Sequence, residues 1–295
     1  MIRFGPAGWD YPDWRGKVYP RPAPRGFDPL AYLARWFATV EVNSTFYRPQ
    51  RAEVARAWCG RVAANRDFRF AVKAWRRLTH EREAFGAAEV KAAREALDAI
   101  AGEGRLGAVL VQFPWSFRRE PASLDWLRDV VAALAGLPLV VEVRHLSWNV
   151  PATYDELAER GVGFVNVDQP LFKNSIRPSA VATSRVGYVR VHGRNYRDWF
   201  REKAGRDARY DYLYRAGELE EWAERTRALA EEPAVEDVYV VTNNHFEGKA
   251  VANAAMLEAM VEARPVEVPP EVAQAYPEAL APYVVAAPPE QPRLL

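Results

Sequence analysis

Residues 187–195 read GYVRVHGRN. In that stretch Val189 and Val191 alternate with Arg190 and His192, and successive side chains of a strand point to opposite faces, so one face is apolar and the other ionisable. A barrel wall suits such a strand, with valines against surrounding helices and polar groups in the lumen. Seven further β-branched or aromatic runs share the design: Arg3 to Gly8, Thr39 to Asn43, Phe68 to Ala74, Gly107 to Phe113, Pro138 to Arg144, Val162 to Asp168 and Asp237 to Asn243. Their starts recur about every 33 residues, room for one strand, one helix and two loops.

Helical periodicity fills the gaps at Pro29 to Phe37, Ala52 to Ala64, Ala88 to Ala101, Ala122 to Ala135, Thr153 to Glu159, Glu218 to Glu231 and Lys249 to Ala263. The sixth slot, Gln169 to Val186, holds Pro170 and Pro178 without apolar periodicity, so its helix is expected to be short or missing. Strands alternating with helices imply a parallel sheet, and eight units imply an α/β fold of the (β/α)8 TIM-type barrel class. A doubly wound open sheet is the alternative, but its glycine-rich phosphate loop is absent from the sequence. The barrel domain is expected over residues 1–263. Residues 264–295 form a proline-rich tail, expected to be an extended arm or partly disordered, or else to pack on the outside of the barrel.

The chain has 295 residues, 49% of them hydrophobic, with 40 basic side chains against 39 acidic ones. That balance argues against a surface basic enough to coat nucleic acid, while leaving room for a local basic cleft. The lone Cys59, beside Trp58 in the second helical segment, cannot form an intramolecular disulfide and is expected in the core. With no apolar opening run or membrane span readable, a cytoplasmic location is expected.

Parity assigns faces. Outward Val40 and Val42 turn Glu41 and Asn43 inward, and the same logic turns Lys73, Gln112, Glu142, Arg144, Asn166, Asp168, Arg190 and His192 inward, with Asn243 and Asn244 ambiguous. These residues sit in the second halves of their strands, the end from which barrel enzymes draw their catalytic groups. Glu41, Lys73, Glu142, Asp168 and His192 are therefore the catalytic candidates. Trp9, Tyr11, Trp14, Asn43, Gln112, Arg144, Arg190, Arg194, Asn243, Asn244 and Lys249 are candidates for holding substrate. The competing interpretation is a structural ion-pair network of Glu41 and Glu142 with Lys73, Arg144 and Arg190. His80, His145, His192 and His245 all follow or end strands, and His192 is favoured because its parity is inward.

The segments GPAGWDYPDWRGKVYP (5–20), EVNSTFYRP (41–49), FRFAVKAWRRLTH (68–80), VQFPWSF (111–117), VEVRHLSW (141–148), VRVHGRN (189–195), RYDYLY (209–214) and VTNNHFEGKAVANA (241–254) resemble the YecE-like family, the domain of unknown function 72. The resemblance runs from about residue 3 to 260 and implies a (β/α)8 barrel, with no established reaction.

Three functions fit. The first is a hydrolase acting on a phosphate-bearing sugar or nucleotide, a small anionic substrate. The loop Gly193 to Gly217 supplies Arg194, Arg197, Arg201, Lys203, Arg206, Arg209 and Arg215, interleaved with Tyr196, Trp199, Phe200, Tyr210, Tyr212 and Tyr214, and Lys249 opens the last helix. No cofactor is implied with certainty. A single divalent metal is compatible, with Glu142, Asp168, His192 and His245 as candidate ligands. The second is metal-independent glycoside hydrolysis by Glu41 and Glu142, with Trp9, Trp14, Trp75, Trp115 and Trp148 as sugar platforms. Against it, Lys73, Arg144 and Arg190 would lower carboxyl pKa values where a general acid needs one raised. Lys73 could serve as a Schiff-base lysine if desolvated, although neighbouring carboxylates favour its role as a charge partner. The third is a non-catalytic binder of nucleotides or nucleic acid through the arginine and aromatic loop.

Overall fold

The computed structural model describes residues 1–201 and 205–286. Lys203 and the side chain of Arg206 lie outside the described residues. Eight parallel strands form the wall: β1 (Ile2–Pro6), β2 (Thr39–Val42), β3 (Arg69–Lys73), β4 (Leu106–Gln112), β5 (Leu139–Glu142), β6 (Gly163–Asp168), β7 (Val186–Val191) and β8 (Asp237–Thr242). Their order is β1-β8-β7-β6-β5-β4-β3-β2. The seam between β1 and β2 is joined by a parallel bridge from Ala7 to Glu41, where the Gly8 N–H donates to the Glu41 carbonyl at 2.8 Å. Gly5 permits this approach, since a Cβ there would lie 1.8 Å from the Thr39 carbonyl oxygen. The result is a nearly closed TIM-type barrel, as the eight strand signals imply.

Helices cover the wall at Pro29–Leu33, Ala52–Arg61, Ala87–Gly102, Pro121–Ala133, Pro151–Glu159, Ala216–Glu231 and Lys249–Glu262. The first is capped by Asp28, whose carboxylate accepts from the Leu30 and Ala31 N–H groups and also holds Arg61. No helix follows β6. The irregular crossover is tied down by Asn166, whose amide donates to the Val181 carbonyl at 3.0 Å and accepts from Ser179 at 2.7 Å and the Val181 N–H at 2.8 Å. One side-chain amide thus satisfies backbone groups that a helix would have satisfied internally.

This arrangement corrects the parity of β6. Val165 and Val167 are in register with Tyr188 and Arg190 of β7, while Asn166 and Asp168 are in register with Val189 and Val191. Tyr188 and Arg190 reach into the lumen to Glu41, so the valines of β6 face inward and Asn166 and Asp168 face outward. The alternation rule assumes an apolar helix outside every strand. Where the outer layer is polar backbone, polar residues turn outward to meet it. Asn243 follows Val241 on the inward face, whereas Asn244 faces outward and donates to the Tyr212 carbonyl and to Asn253 on the last barrel helix.

The described part of the tail is folded. Strands β9 (Val266–Val268) and β10 (Val284–Ala286) pair in parallel, with short helices Pro270–Ala275 and Pro277–Leu280 between them. Val266 and Val268 pack on Ala255 and Ala259, which explains why the alanine-rich helix Lys249–Glu262 is buried nearly all round. Tyr276 donates to the Glu247 carbonyl at 2.6 Å, fixing the tail to the loop after β8. Up to residue 286 the tail packs against the barrel. Among the described residues no helix is long and apolar enough to cross a membrane.

Candidate functional site

The inward residues at the C-terminal ends of the strands converge as a chain of ion pairs. Arg190 makes a forked contact with Glu41, Nη2 to Oε1 at 2.6 Å and Nε to Oε2 at 2.9 Å, and reaches Glu142 through Nη1 at 2.9 Å. Tyr188 adds its hydroxyl to Glu41 at 3.0 Å, and Arg144 donates to Glu142 at 2.7 Å. Glu41 and Glu142 are wholly buried and Arg190 nearly so. Taking such charges out of water costs several kcal/mol each, and the forked geometry with every carboxylate oxygen occupied is what makes the cluster tenable.

His192 completes the cluster. Its Nε2 lies 3.2 Å from Glu142 and within 3.4 Å of the Arg144 and Arg190 guanidiniums, and its Nδ1 lies 3.0 Å from the Asn243 amide nitrogen. Burial, reinforced by the positive charge of Arg144, pushes its pKa down to about 3. Burial opposes ionisation of Glu142, but the Arg190 and Arg144 guanidiniums overcome it and hold its carboxyl well below the usual range.

Above this floor opens a cavity of about 490 Å³ lined by Gly8 to Tyr11, Asn43, Ser44, Phe46, Tyr47, Lys73, Gln112, Arg144, Arg190, Tyr210, Asn243 and His245, among others. Lys73 ends β3, and its amine is 4.0 Å from the centre of the Phe46 ring. Phe46 is placed there by the short helix Ser44–Tyr47, anchored where the Thr45 hydroxyl donates to the Lys73 carbonyl at 2.7 Å. No ion pair or hydrogen bond reaches the Lys73 amine among the described residues, because both carboxylates are occupied by arginines. Burial pushes the Lys73 pKa down to about 7; Arg190 adds to the fall, and Glu41 and Glu142 oppose it. The expected role of Lys73 as a charge partner is thus replaced by an amine that the network excludes. His80, beyond Phe46, is pushed down to about 4 by burial and by Lys73.

The rim is aromatic. Tyr11 stacks on His245 with centroids 4.5 Å apart, Tyr210 packs on the same imidazole, and Trp9 meets Trp58 edge to face. Gly8 has φ +81°, and a Cβ there would lie 2.5 Å from the Tyr11 hydroxyl, so glycine is required for this wall.

Of the candidates, Trp9, Tyr11, Asn43, Lys73, Gln112, Arg144, Arg190, Asn243 and His245 meet at the cavity, with Glu41, Glu142 and His192 beneath it. Trp14 is buried and donates to the His245 carbonyl, so it supports the wall and does not line it. Asp168, outward-facing, is held by Arg194 through both oxygens and by the Tyr214 hydroxyl. Lys249 pairs with Asp211 and Glu247. Arg194 and Lys249 therefore do not join the cavity, and Arg197 and Arg201 pair with Asp198. The proposed metal ligands do not converge: Glu142 is saturated by cations, Asp168 lies outside the lumen and His245 stacks between tyrosines. Among the described residues no three His, Cys, Asp or Glu side chains are grouped to hold a metal ion. Asp10, Phe46, Tyr47 and Arg61 line the cavity without having been singled out. Asp10 lies on a loop, Phe46 and Tyr47 on the helix Ser44–Tyr47 and Arg61 at the end of Ala52–Arg61, where strand parity gives no signal.

Comparison with known proteins agrees with this architecture. The family described as "Protein of unknown function DUF72" matches residues 3–278. The UPF0759 protein YunF of Bacillus subtilis is 28% identical over 274 residues, spanning 87% of this chain and 93% of its own length. A DUF72 family crystal structure from Thermotoga maritima superposes with a TM-score of 0.76 at 30% identity, covering 89% of this chain and 99% of that one. One from Enterococcus faecalis gives 0.75 at 22% identity, over 89% and 96%, a likeness of fold. By sequence and by fold, the chain belongs to the DUF72 family of proteins of unknown function.

Proposed function

We propose that this protein is an enzyme acting on a small anionic substrate, such as a phosphate-bearing sugar, held in the cavity at the C-terminal ends of the strands. The observation that carries the proposal is the charge imbalance of the floor: Lys73, Arg144 and Arg190 face only Glu41 and Glu142, and Lys73 has no carboxylate partner. An anion entering the cavity would supply the missing negative charge, and Tyr11, Tyr210 and Trp9 would cover its ring or chain. Arg194 and Lys249 are already paired, which moves the expected anion site from the loops after β7 and β8 to the floor itself.

The chemistry narrows on the same grounds. Glycoside hydrolysis needs a protonated carboxyl, and Glu142 is held ionised by two guanidiniums. Hydrolysis by activated water needs a base in contact with the cavity, and His192 is buried beneath it with both ring nitrogens engaged. Lys73 lines the cavity, and burial pushes its pKa down to about 7. A non-catalytic nucleotide clamp finds less support, since Arg194 is committed to Asp168 and Arg197 and Arg201 share Asp198.

The test is calorimetric titration with inorganic phosphate and a sugar phosphate at pH 6 and low salt. Binding should weaken about tenfold in Lys73→Met, the loss of one charge-assisted contact, and be unchanged in Lys249→Met. Equal weakening in both variants, or no binding to the parent protein, overturns the assignment of the site.

A further inference from the structure

Resting on that site assignment, we infer that the Lys73 amine is a covalent nucleophile that forms a Schiff base with a small carbonyl compound carrying a carboxylate or phosphate. Three geometric facts carry it. The amine lines the cavity, at the end of a barrel strand that holds it in place. It rests against the Phe46 ring and has no carboxylate partner. Arg144, which gives only its Nε to Glu142, lines the same cavity and would hold the substrate's anionic group.

The charged surroundings act together. Glu41 from β2, Glu142 and Arg144 from β5, Arg190 from β7 and His80 from the turn after β3 face Lys73. The two carboxylates are shared among arginines, so crowding and like charge outweigh their attraction. An ordinary lysine is neutral in roughly one molecule in a few thousand at pH 7. With a pKa of about 7, Lys73 is neutral in a large share of molecules. A lysine desolvated or set beside another cation is the environment in which amines act as nucleophiles.

The step balances without a co-reactant. The lone pair of the neutral amine forms the N–C bond while the carbonyl π pair moves to oxygen, which takes up a proton. The nitrogen releases one proton, and the hydroxyl leaves as water after accepting another. One amine, one carbonyl and one proton thus give one iminium ion and one water. The iminium nitrogen then draws electrons from an adjacent C–C or C–H bond, so the reactions served are aldol-type cleavage or condensation, or decarboxylation, of anionic oxo compounds.

The experiment uses the full chain with borohydride, in separate arms with pyruvate and with dihydroxyacetone phosphate. Peptide mass spectrometry reads the adduct: the mass of the carbonyl compound less one oxygen. The expected result is an adduct on Lys73 in at least one arm, lost in Lys73→Arg, with competing phosphate lowering its yield. Lys73→Arg keeps the charge, so phosphate binding to it shows that the site is intact. No adduct in either arm, or one spread over surface lysines, overturns the Schiff base. If phosphate still binds in a Lys73-dependent way, the anion site survives that failure; if phosphate does not bind, both fall.

Discussion

Arg190 and Lys73 project into one lumen from opposite parts of the wall, β7 and β3, and meet opposite fates. Arg190 has a carboxylate oxygen for each nitrogen, two from Glu41 and one from Glu142, and its pKa is raised. Lys73, on the far side of the same carboxylates, makes no ion pair and is pushed down to about 7. A planar guanidinium with forked donors takes carboxylates in pairs, whereas an ammonium is a point charge that must compete for what is left. The lower network therefore serves structure, and by absorbing both negative charges it leaves the lysine reactive.

The largest break in this comparison comes from Arg190→Met. It strands Glu41 and Glu142 without their shared partner in a buried site, and removing one side of such a pair costs about 3–5 kcal/mol. Denaturant unfolding should show that loss, and a variant as stable as the parent would mean that the network is not what holds the lumen together.

His192 sharpens the comparison through pH. Its folded pKa of about 3 lies below the ordinary 6.5, so between those values the unfolded chain binds the proton and the folded one does not. Stability from this group is complete above 6.5 and falls as the pH drops towards 3, by at most about 1.4 kcal/mol per pH unit. His80 adds the same trend down to about 4. His192→Asn should flatten the acid limb of the stability curve, measured by urea midpoints from pH 7 to 4. An unchanged slope would place the proton elsewhere.

Gly8→Ala tests the rim. A left-handed φ and a Cβ 2.5 Å from the Tyr11 hydroxyl predict a loss of about 1–2 kcal/mol with displacement of the Tyr11 ring. Denaturant unfolding reads the loss and phosphate affinity reads the displacement; a variant as stable as the parent with unchanged affinity would mean that the wall does not depend on glycine there.

The last effect has the opposite sign. Lys73→Met removes an ammonium held against its preference and should raise Tm at pH 6. The gap should close as the pH rises from 7 towards 10, because the native lysine loses its proton in the folded state before the unfolded one does. A destabilised Lys73→Met at pH 6 would mean that the lysine is a charge partner after all.

Much of this arrangement was legible in the sequence. Alternation in TVEVN, VEVR and VRVH put Glu41, Glu142, Arg190 and His192 in the lumen, because apolar helices cover those strands. The same rule misplaced Asp168, where the outer layer is a crossover without a helix and Asn166 serves its backbone. Lys73 lies in the lumen, as parity has it, but without an ion pair: competition among five ionisable groups for two carboxylates depends on distances that parity does not contain. Phe46 and Tyr47 escaped notice because the short helix that presents them begins immediately after the strand.

The most direct measurement is an NMR titration of the Lys73 amine, labelled by reductive 13C-methylation and assigned by its absence in Lys73→Arg. We predict a midpoint near 7, well separated from the other lysines. A midpoint near 10.4, the ordinary lysine value, would contradict the division of the lumen into a saturated network and an excluded amine.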